Sequence, residues 1–293
     1  MQAILILAHT NPEHVIRLAK LLKQRFEIYI HFDKKCVLTD AHKQLLETDG
    51  IHWFQEICVQ WGGWSIGAAA ELLMREAVKN PNITHVHVIS GQDWPTANID
   101  DIYSFYENNM HIYMECYSAE GIKKAGQPIV LWQKYYYNFD KINRRTMFGK
   151  IYHRFIMAAQ AIAGVDKFKK LQVDIPIYHG ANWMDLPRDA VLYLLEYFDS
   201  HLNIQKLFKT GFCPDEFWVQ TILHASPLRD RIVSEHHRFI VWEQRHNSYP
   251  AVLDESDFDS IISGDWHFCR KTTPEFSEKL IMKLGEKNGN TEK

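Results

Sequence analysis

Two adjacent carboxylates offer the clearest chemistry in this sequence. Asp215 and Glu216 follow a proline at the predicted start of an amphipathic helix, in the segment 214–221 with the sequence PDEFWVQT. A carboxylate fixed on a helix can take the proton from an attacking hydroxyl and so act as a general base. Acidic residues also favour the first turn of any helix because they complement its dipole, so the pair alone does not establish catalysis.

Metal chemistry has weaker support in the sequence. The Asp-x-Asp motif at residues 257–259 lies in an acidic stretch that is predicted to begin a helix, rather than at the end of a strand. His85 and His87 alternate on a predicted strand, and the pair 236–237 lacks the spacing of zinc ligands. We therefore expect no metal site.

The first part of the chain alternates strands and helices. The predicted strands are 3–8, 27–32, 84–89 and 111–115, and the predicted helices are 12–22, 65–78 and 100–106. This order predicts an α/β fold with a Rossmann-like, mostly parallel sheet and helices on both faces. His9, Asp33, and Gly91 with Asp93 follow three of these strands. Ligands of such sheets bind at the carboxyl ends of the strands, so these residues predict a nucleotide pocket.

Composition disfavours several classes of protein. The net charge of −3 disfavours a generally basic nucleic-acid-binding protein. The five cysteines include no CxxC pair, which disfavours a disulfide framework and a zinc site. The apolar run at 3–8 lacks a basic region before it, and no stretch is apolar for the roughly 18 residues that a membrane span requires. We therefore expect a cytoplasmic protein.

Four motifs follow one another along the chain: residues 61–65 (WGGWS), 90–95 (SGQDWP), 214–221 (PDEFWVQT) and 268–271 (FCRK). Their order resembles the core-2/I-branching glycosyltransferase family, which includes the peptide O-xylosyltransferases, and we expect the chain to be a bacterial member. The resemblance implies a GT-A-type fold in a single catalytic domain, 1–272. Within it, residues 1–115 form a nucleotide-sugar-binding half and residues 116–272 an acceptor and catalytic half. A polar, frayed C-terminal tail follows at 273–293.

The resemblance also implies roles for individual residues. Glu216 matches the family's catalytic base, and Lys271 matches its diphosphate-binding lysine. The residues implied to bind the donor nucleotide are His9, Asp33, Asp93, Arg245, Arg270 and Lys271. The residues implied to bind sugar or acceptor are Glu115, Trp183 and Asp215. Alternatives stay open for three of them: Asp93 orders its loop, Asp215 caps the helix or orients its neighbours, and Trp183 belongs to the core.

The implied reaction is an inverting, metal-independent transfer of GlcNAc or xylose from a UDP-sugar to a hydroxyl of a glycan or lipid-linked acceptor. A metal-dependent enzyme of the same fold and a non-catalytic UDP-sugar- or glycan-binding protein are the alternatives. A hydrolase that uses Asp215 and Glu216 as acid and base is disfavoured. Neighbouring helical residues point about 100° apart and would not flank a glycosidic bond.

The segment 134–170 combines basic and aromatic residues. It has nine Lys or Arg against two Asp, interleaved with Tyr, Phe and Ile. This pattern is typical of a solvated helical face with a buried aromatic side. It also fits a surface that holds an acidic or lipid-linked acceptor at the inner face of a cell membrane, through peripheral contact.

Overall fold

The computed structural model of the protein describes residues 1–124 and 126–290. In chain order the described strands are β1 Gln2–Ala8, β2 Glu27–Phe32, β3 His52–Phe54, β4 His85–Ser90, β5 Asp93–Pro95, β6 Ile112–Met114, β7 Tyr117–Ser118, β8 Lys123–Lys124, β9 Gln127–Pro128, β10 Tyr178–His179, β11 Met184–Pro187, β12 Ile232–Val233, β13 Arg238–Ile240 and β14 Phe268–Arg270. The described α-helices are α1 Pro12–Lys23, α2 Asp40–Thr48, α3 Ser65–Val78, α4 Ile99–Tyr106, α5 Leu131–Lys134, α6 Met147–Ile162, α7 Lys167–Leu171, α8 Arg188–Ser200, α9 Leu202–Lys209, α10 Trp218–His224, α11 Phe258–Ile262 and α12 Glu278–Asn288. Short 3-10 helices cover Pro214–Glu216, Arg229–Arg231 and Glu255–Asp257.

The chain folds into two compact units that are built from interleaved segments. The first unit comprises Met1–Glu56, Lys79–Met110 and the chain from His236 onward. The second comprises Ile57–Val78 and His111–Glu235. This division differs from the predicted halves, because the motif FCRK in the last part of the chain belongs to the same unit as the first strands.

The first unit contains a parallel sheet. Strands β4, β1, β2 and β3 lie side by side, and every pairing among them is parallel. The central strand β1 is buried along almost its whole length, as its unbroken apolar run predicts. Ala8 pairs with Phe32 and Leu7 pairs with Ser90, so the carboxyl ends of β1, β2 and β4 lie at one edge. The predicted α/β class with a mostly parallel sheet is confirmed.

A smaller sheet in the first unit aligns the FCRK motif with the SGQDWP motif. Strand β14 pairs with β13 in parallel and with β5 in antiparallel orientation. Its register places Arg270 directly opposite Asp93. Residues that lie directly opposite each other on antiparallel strands are close neighbours, and these two carry opposite charges. The FCRK and SGQDWP motifs, although far apart in sequence, therefore meet at this point of the sheet.

The C-terminal segment corrects one expectation. Residues 278–288 were expected to be part of a frayed tail, but they form helix α12. Leu280, Ile281 and Leu284 of this helix are buried, because their spacing places them on one helical face. The polar composition of the segment comes from the opposite face of the helix.

In the second unit, the glycine turn of the WGGWS motif supports a helix start. Both carboxylate oxygens of Asp140 accept hydrogen bonds from the backbone, one from Trp64 N at 2.9 Å and one from Ser65 N at 3.1 Å. A Cβ at Gly63 would collide with the Asp140 carboxyl group. Asp140 therefore caps the start of α3, and its carboxyl group occupies the space that the glycine leaves.

Helix α6 is the longest helix of the described chain, with 16 residues. Thr146 caps its first turn by accepting a hydrogen bond from Gly149 N at 3.0 Å. Across residues 1–124 and 126–290, no helix combines the length and the apolar composition needed to cross a bilayer.

Candidate active site

The two carboxylates of the PDEFWVQT motif lie on a 3-10 turn that precedes the helix. Pro214–Glu216 forms the turn, and helix α10 begins only at Trp218. Cys213 enters the turn with a φ of 44°, in the left-handed region. No side-chain hydrogen bond caps either segment at Cys213 or Phe217, so the capping role considered for Asp215 has no support in this geometry.

Asp215 and Glu216 occupy different environments although they are neighbours in sequence. The Asp215 side chain is buried, and its Oδ1 atom has no hydrogen-bond partner in the described part of the chain. The Glu216 side chain is 31% exposed, and its Oε2 accepts a hydrogen bond from Lys124 Nζ at 3.1 Å.

The surroundings raise the pKa of both carboxyl groups, for different reasons. Burial raises the pKa of Asp215, and the nearby charge of Glu216 raises it further. Desolvation also raises the pKa of Glu216, but the Lys124 ammonium opposes this effect. Since only Glu216 has a cation at hydrogen-bond distance, we infer that Asp215 holds the proton while Glu216 is ionised beside Lys124.

One backbone segment connects Glu216 to Glu115. Gly180 N donates to the backbone oxygen of Glu216 at 2.9 Å, and Ala181 N donates to Glu115 Oε2 at 3.1 Å. A Cβ at Gly180 would collide with the Glu115 backbone, so only glycine permits this approach. The structure thus brings two predicted site residues together in the second unit. Trp183 follows on the same segment and is partly buried.

Lys124 and His179 are members of this cluster that sequence reasoning did not identify. Lys124 lies on β8, and its Nζ is 5.6 Å from the centroid of the Trp132 ring as well as bonded to Glu216. Desolvation lowers the pKa of His179, and the charge of Lys124 lowers it further. In the sequence, the lysines at 123–124 look like an ordinary exposed pair. No local pattern there indicates that Lys124 contacts Glu216 or that His179 lies nearby.

The first unit gathers a second cluster at the carboxyl edge of its parallel sheet. His9 follows β1 and Asp33 follows β2, where Asp33 N donates to Ala8 O at 2.7 Å. Desolvation lowers the pKa of His9; Asp33 opposes this effect, and the charges of Arg270 and Lys271 reinforce it. The charges of Asp33, Arg270 and Lys271 therefore all act on the His9 imidazole. These are four of the predicted nucleotide-binding residues, and they lie in one cluster.

Lys271 and Arg270 are held in different ways. Lys271 Nζ donates to Ser248 Oγ at 2.9 Å and to Tyr249 O at 3.4 Å. The Arg270 guanidinium is buried and lies 3.3 Å from Asp93 Oδ1. Burial lowers the pKa of Arg270, and Asp93 opposes the shift.

Asp93 orders the loop after β4. Its Oδ2 accepts a hydrogen bond from Ser90 N at 2.6 Å, and Arg270 Nη1 donates to Ser90 Oγ at 3.1 Å. The Asp93 side chain is completely buried. These contacts favour the loop-ordering alternative for Asp93 over direct contact with a ribose.

Arg245 forms ion pairs with several carboxylates of the first unit. Its Nη2 donates to Asp257 Oδ1 at 2.8 Å, and this bond raises the pKa of Arg245. Asp254 lies at 3.6 Å and Glu243 at 3.4 Å. The Arg245 backbone also exchanges hydrogen bonds with Ser248, which holds Lys271. The geometry of Arg245 favours a role in supporting the loop at Ser248, which orients Lys271, over direct contact with a diphosphate.

The residues considered as metal ligands have structural partners. Asp257 ends a 3-10 helix that leads into α11, as predicted. His85 and His87 are buried, with Nε2 of His85 2.7 Å from Asn109 O and Nε2 of His87 3.1 Å from Gln2 Oε1. Over residues 1–124 and 126–290, no group of three or more His, Cys, Asp or Glu side chains is arranged to hold a metal ion.

Comparisons with known proteins identify the family. A sequence model described as "Branch: Core-2/I-Branching enzyme" matches residues 4–262. No match is found among curated protein sequences. Among solved structures, the chain is similar to the apo structure of the WbbM bifunctional glycosyltransferase, with 8% identity and a TM-score of 0.41. That alignment covers 99% of this chain and 50% of the other, so the chain spans half the length of WbbM.

The chain is also similar to mouse xyloside xylosyltransferase 1 in its apo form. The identity is 10% and the TM-score is 0.39, with 94% of this chain and 98% of the other covered. The family match, in contrast, is a match of sequence and extends over most of the chain. The protein therefore belongs to the core-2/I-branching enzyme family and is a glycosyltransferase.

Proposed function

We propose that this glycosyltransferase moves GlcNAc or xylose from a UDP donor to a hydroxyl of a glycan or lipid-linked acceptor, with inversion and without an essential metal. The acceptor oxygen forms the new bond to the anomeric carbon. The bond from that carbon to the diphosphate breaks, and UDP leaves with the bonding electron pair. The proton of the acceptor hydroxyl passes to Glu216.

This proposal rests on the difference between the environments of Asp215 and Glu216. A general base must be ionised when the acceptor binds, and its pKa must be high enough to take a proton. Glu216 meets both needs, because desolvation raises its pKa while Lys124 favours its ionised form. Asp215 is buried, which suits a carboxyl group that keeps its proton.

Cations of the first unit stabilise the leaving diphosphate. Lys271 is oriented by a hydroxyl and a carbonyl, both neutral groups, so its positive charge is not cancelled by these two contacts. Arg270 has a fixed charge next to Asp93. Fixed cations of this kind stabilise charge as it develops, without the cost of reorganisation during the reaction. His9 and Asp33 contact the uridine in the same proposal.

The experiment is a comparison of Glu216→Gln with the wild type. UDP release is measured with UDP-GlcNAc and UDP-xylose over a panel of glycan acceptors, with and without EDTA, and UDP affinity is measured by calorimetry. We expect turnover to fall by a factor on the order of 10² or more, the usual contribution of a general base. UDP affinity should stay the same, and EDTA should not reduce wild-type activity.

Glu120→Gln is the matched control, because Glu120 is an exposed carboxylate of the same unit. It should behave as the wild type. Full activity of Glu216→Gln would refute Glu216 as the base. Activity that disappears with EDTA and returns with manganese would refute the metal-independent mechanism.

A further inference from the structure

Helix α6 of the second unit exposes a row of large apolar side chains. Met147, Phe148, Ile151, Phe155 and Ile162 are each between 62% and 88% exposed. At about 100° per residue, they occupy one arc of about 100° on the helix. Soluble proteins rarely expose a continuous apolar patch of this kind unless it contacts another surface.

The inner face of α6 fixes the helix in this orientation. The Gln160 side chain accepts from Tyr136 N at 2.8 Å and donates to Tyr136 O at 2.9 Å. Asn138 donates to the Tyr152 hydroxyl at 3.1 Å, and the His153 ring stacks on Tyr137 at 5.7 Å. Because these contacts hold the opposite face, a small rotation of the helix cannot bury the exposed row.

The part of the sequence that carries the exposed row is basic. Residues 141–165 contain five Lys or Arg and no Asp or Glu, although the whole chain has a net charge of −3. Lys150 and Arg154 border the apolar arc on α6 by their helical positions. Before the helix, Arg145 lies 5.2 Å from the centroid of the Trp61 ring, which is 45% exposed.

An apolar helical face bordered by cations matches the chemistry of an anionic bilayer surface. The apolar side chains enter the boundary between headgroups and acyl chains, and Lys and Arg contact the anionic headgroups. A neutral apolar partner would explain the row of side chains but not the excess of Lys and Arg over acidic residues in the segment 141–165.

We propose that the outer face of α6, formed by Met147, Phe148, Ile151, Phe155 and Ile162 with Lys150 and Arg154, docks on a membrane surface that contains anionic lipid. This docking is independent of the reaction proposed above, since none of its residues takes part in catalysis. It would bring a soluble unit of the enzyme to a lipid-linked acceptor.

The test is flotation of the full chain with vesicles of phosphatidylcholine alone and of phosphatidylcholine mixed with phosphatidylglycerol. We expect binding to the mixed vesicles, weakened by high salt. Lys150→Glu/Arg154→Glu should weaken it about tenfold or more, since each basic residue near an anionic surface contributes measurably. Phe148→Ser/Phe155→Ser should weaken it by a similar factor, because affinity scales with the apolar area that is buried.

Matched controls are Leu202→Ser, at an apolar residue that is 74% exposed, and Lys206→Glu/Lys279→Glu, at two exposed lysines. Both should bind as the wild type does. Melting curves check that each variant folds, and UDP release without vesicles checks the enzyme separately. No binding to mixed vesicles, or equal binding by all variants, overturns the proposal. Self-association in sedimentation that Phe148→Ser/Phe155→Ser abolishes would assign the face to a second copy instead.

Discussion

The two clusters of charged residues differ in what their charges are arranged to do. In the first unit, Arg270 lies beside Asp93 and Lys271 is oriented by two neutral groups, while Arg245, which is bonded to Asp257, supports the loop that holds Lys271. In the second unit, Lys124 is bonded to Glu216, whose charge also interacts with Asp215 and Glu115. The first cluster is suited to bind an anion, and the second is suited to exchange a proton.

Physical chemistry explains why the two tasks need different residues. Arg and Lys keep their charge at neutral pH, so they stabilise a diphosphate in every state of the reaction. A general base must instead change its charge near the working pH, as a carboxylate with a raised pKa does. Substitutions in the first cluster should therefore lower nucleotide affinity together with turnover, whereas substitutions in the second should change turnover and its pH dependence without changing nucleotide affinity.

The largest expected effect that tests this contrast comes from Lys271→Ala. Loss of one charge-stabilising donor typically costs on the order of 10²-fold or more in turnover. In the proposed function the same ammonium also contacts the bound nucleotide, so UDP affinity should fall together with turnover. Calorimetry with UDP and a UDP-release assay measure the two quantities on the same preparation.

Lys279→Ala is the control for this experiment, since the Lys279 side chain is 81% exposed. It should leave both quantities unchanged. If Lys271→Ala lowers turnover but leaves UDP affinity intact, the lysine does not hold the nucleotide. If Glu216→Gln lowers UDP affinity as much as Lys271→Ala does, the contrast between the two clusters is wrong.

Much of the first cluster could be predicted from the sequence because local rules place it. His9 and Asp33 come directly after apolar strand runs, and parallel strands bring their carboxyl ends to one edge. The bounds of β2 and α3 agree with the predicted 27–32 and 65–78. Periodicity and chain order suffice for such features.

The second cluster depends on contacts between distant parts of the chain, which no local pattern reveals. Lys124 meets Glu216 across 92 positions of sequence, and Asp140 reaches Trp64 across 76. A Gly-Gly pair permits a close approach, but the sequence could not identify Asp140 as the group that approaches. For α12, a polar composition concealed three buried residues on one face.

A smaller effect is expected from Lys124→Met. The Lys124 charge lowers the pKa of Glu216, so its removal raises that pKa further. The base must be ionised to act, so the acidic limb of the pH–rate profile should move to higher pH. The pair is partly exposed and such pairs contribute up to about 1 kcal/mol, so activity at neutral pH should fall by about fivefold or less.

Lys123→Met is the matched control, because it removes the neighbouring charge on the same strand. The pH–rate profile of this variant should coincide with that of the wild type. An acidic limb that stays in place in Lys124→Met, or that moves equally in both variants, would separate Lys124 from the protonation of Glu216.

The smallest expected effect concerns stability and tests the state of Asp215. Burial raises the pKa of Asp215 in the folded protein above its value in the unfolded chain. Between the two pKa values, the folded state holds a proton that the unfolded state has released, so stability falls as pH rises through this window. The side chain of Asp215→Asn cannot ionise, so the stability of this variant should not fall in that pH window.

The melting temperature of Asp215→Asn relative to the wild type should therefore increase from acidic to neutral pH, by on the order of a few °C. Asp230→Asn, at a side chain that is 89% exposed, is the control in the same pH series. A difference that stays constant with pH would mean that the fold does not resist ionisation of Asp215. The contrast with Glu216 would then disappear, and Glu216 would lose the environment on which its assignment as the base depends.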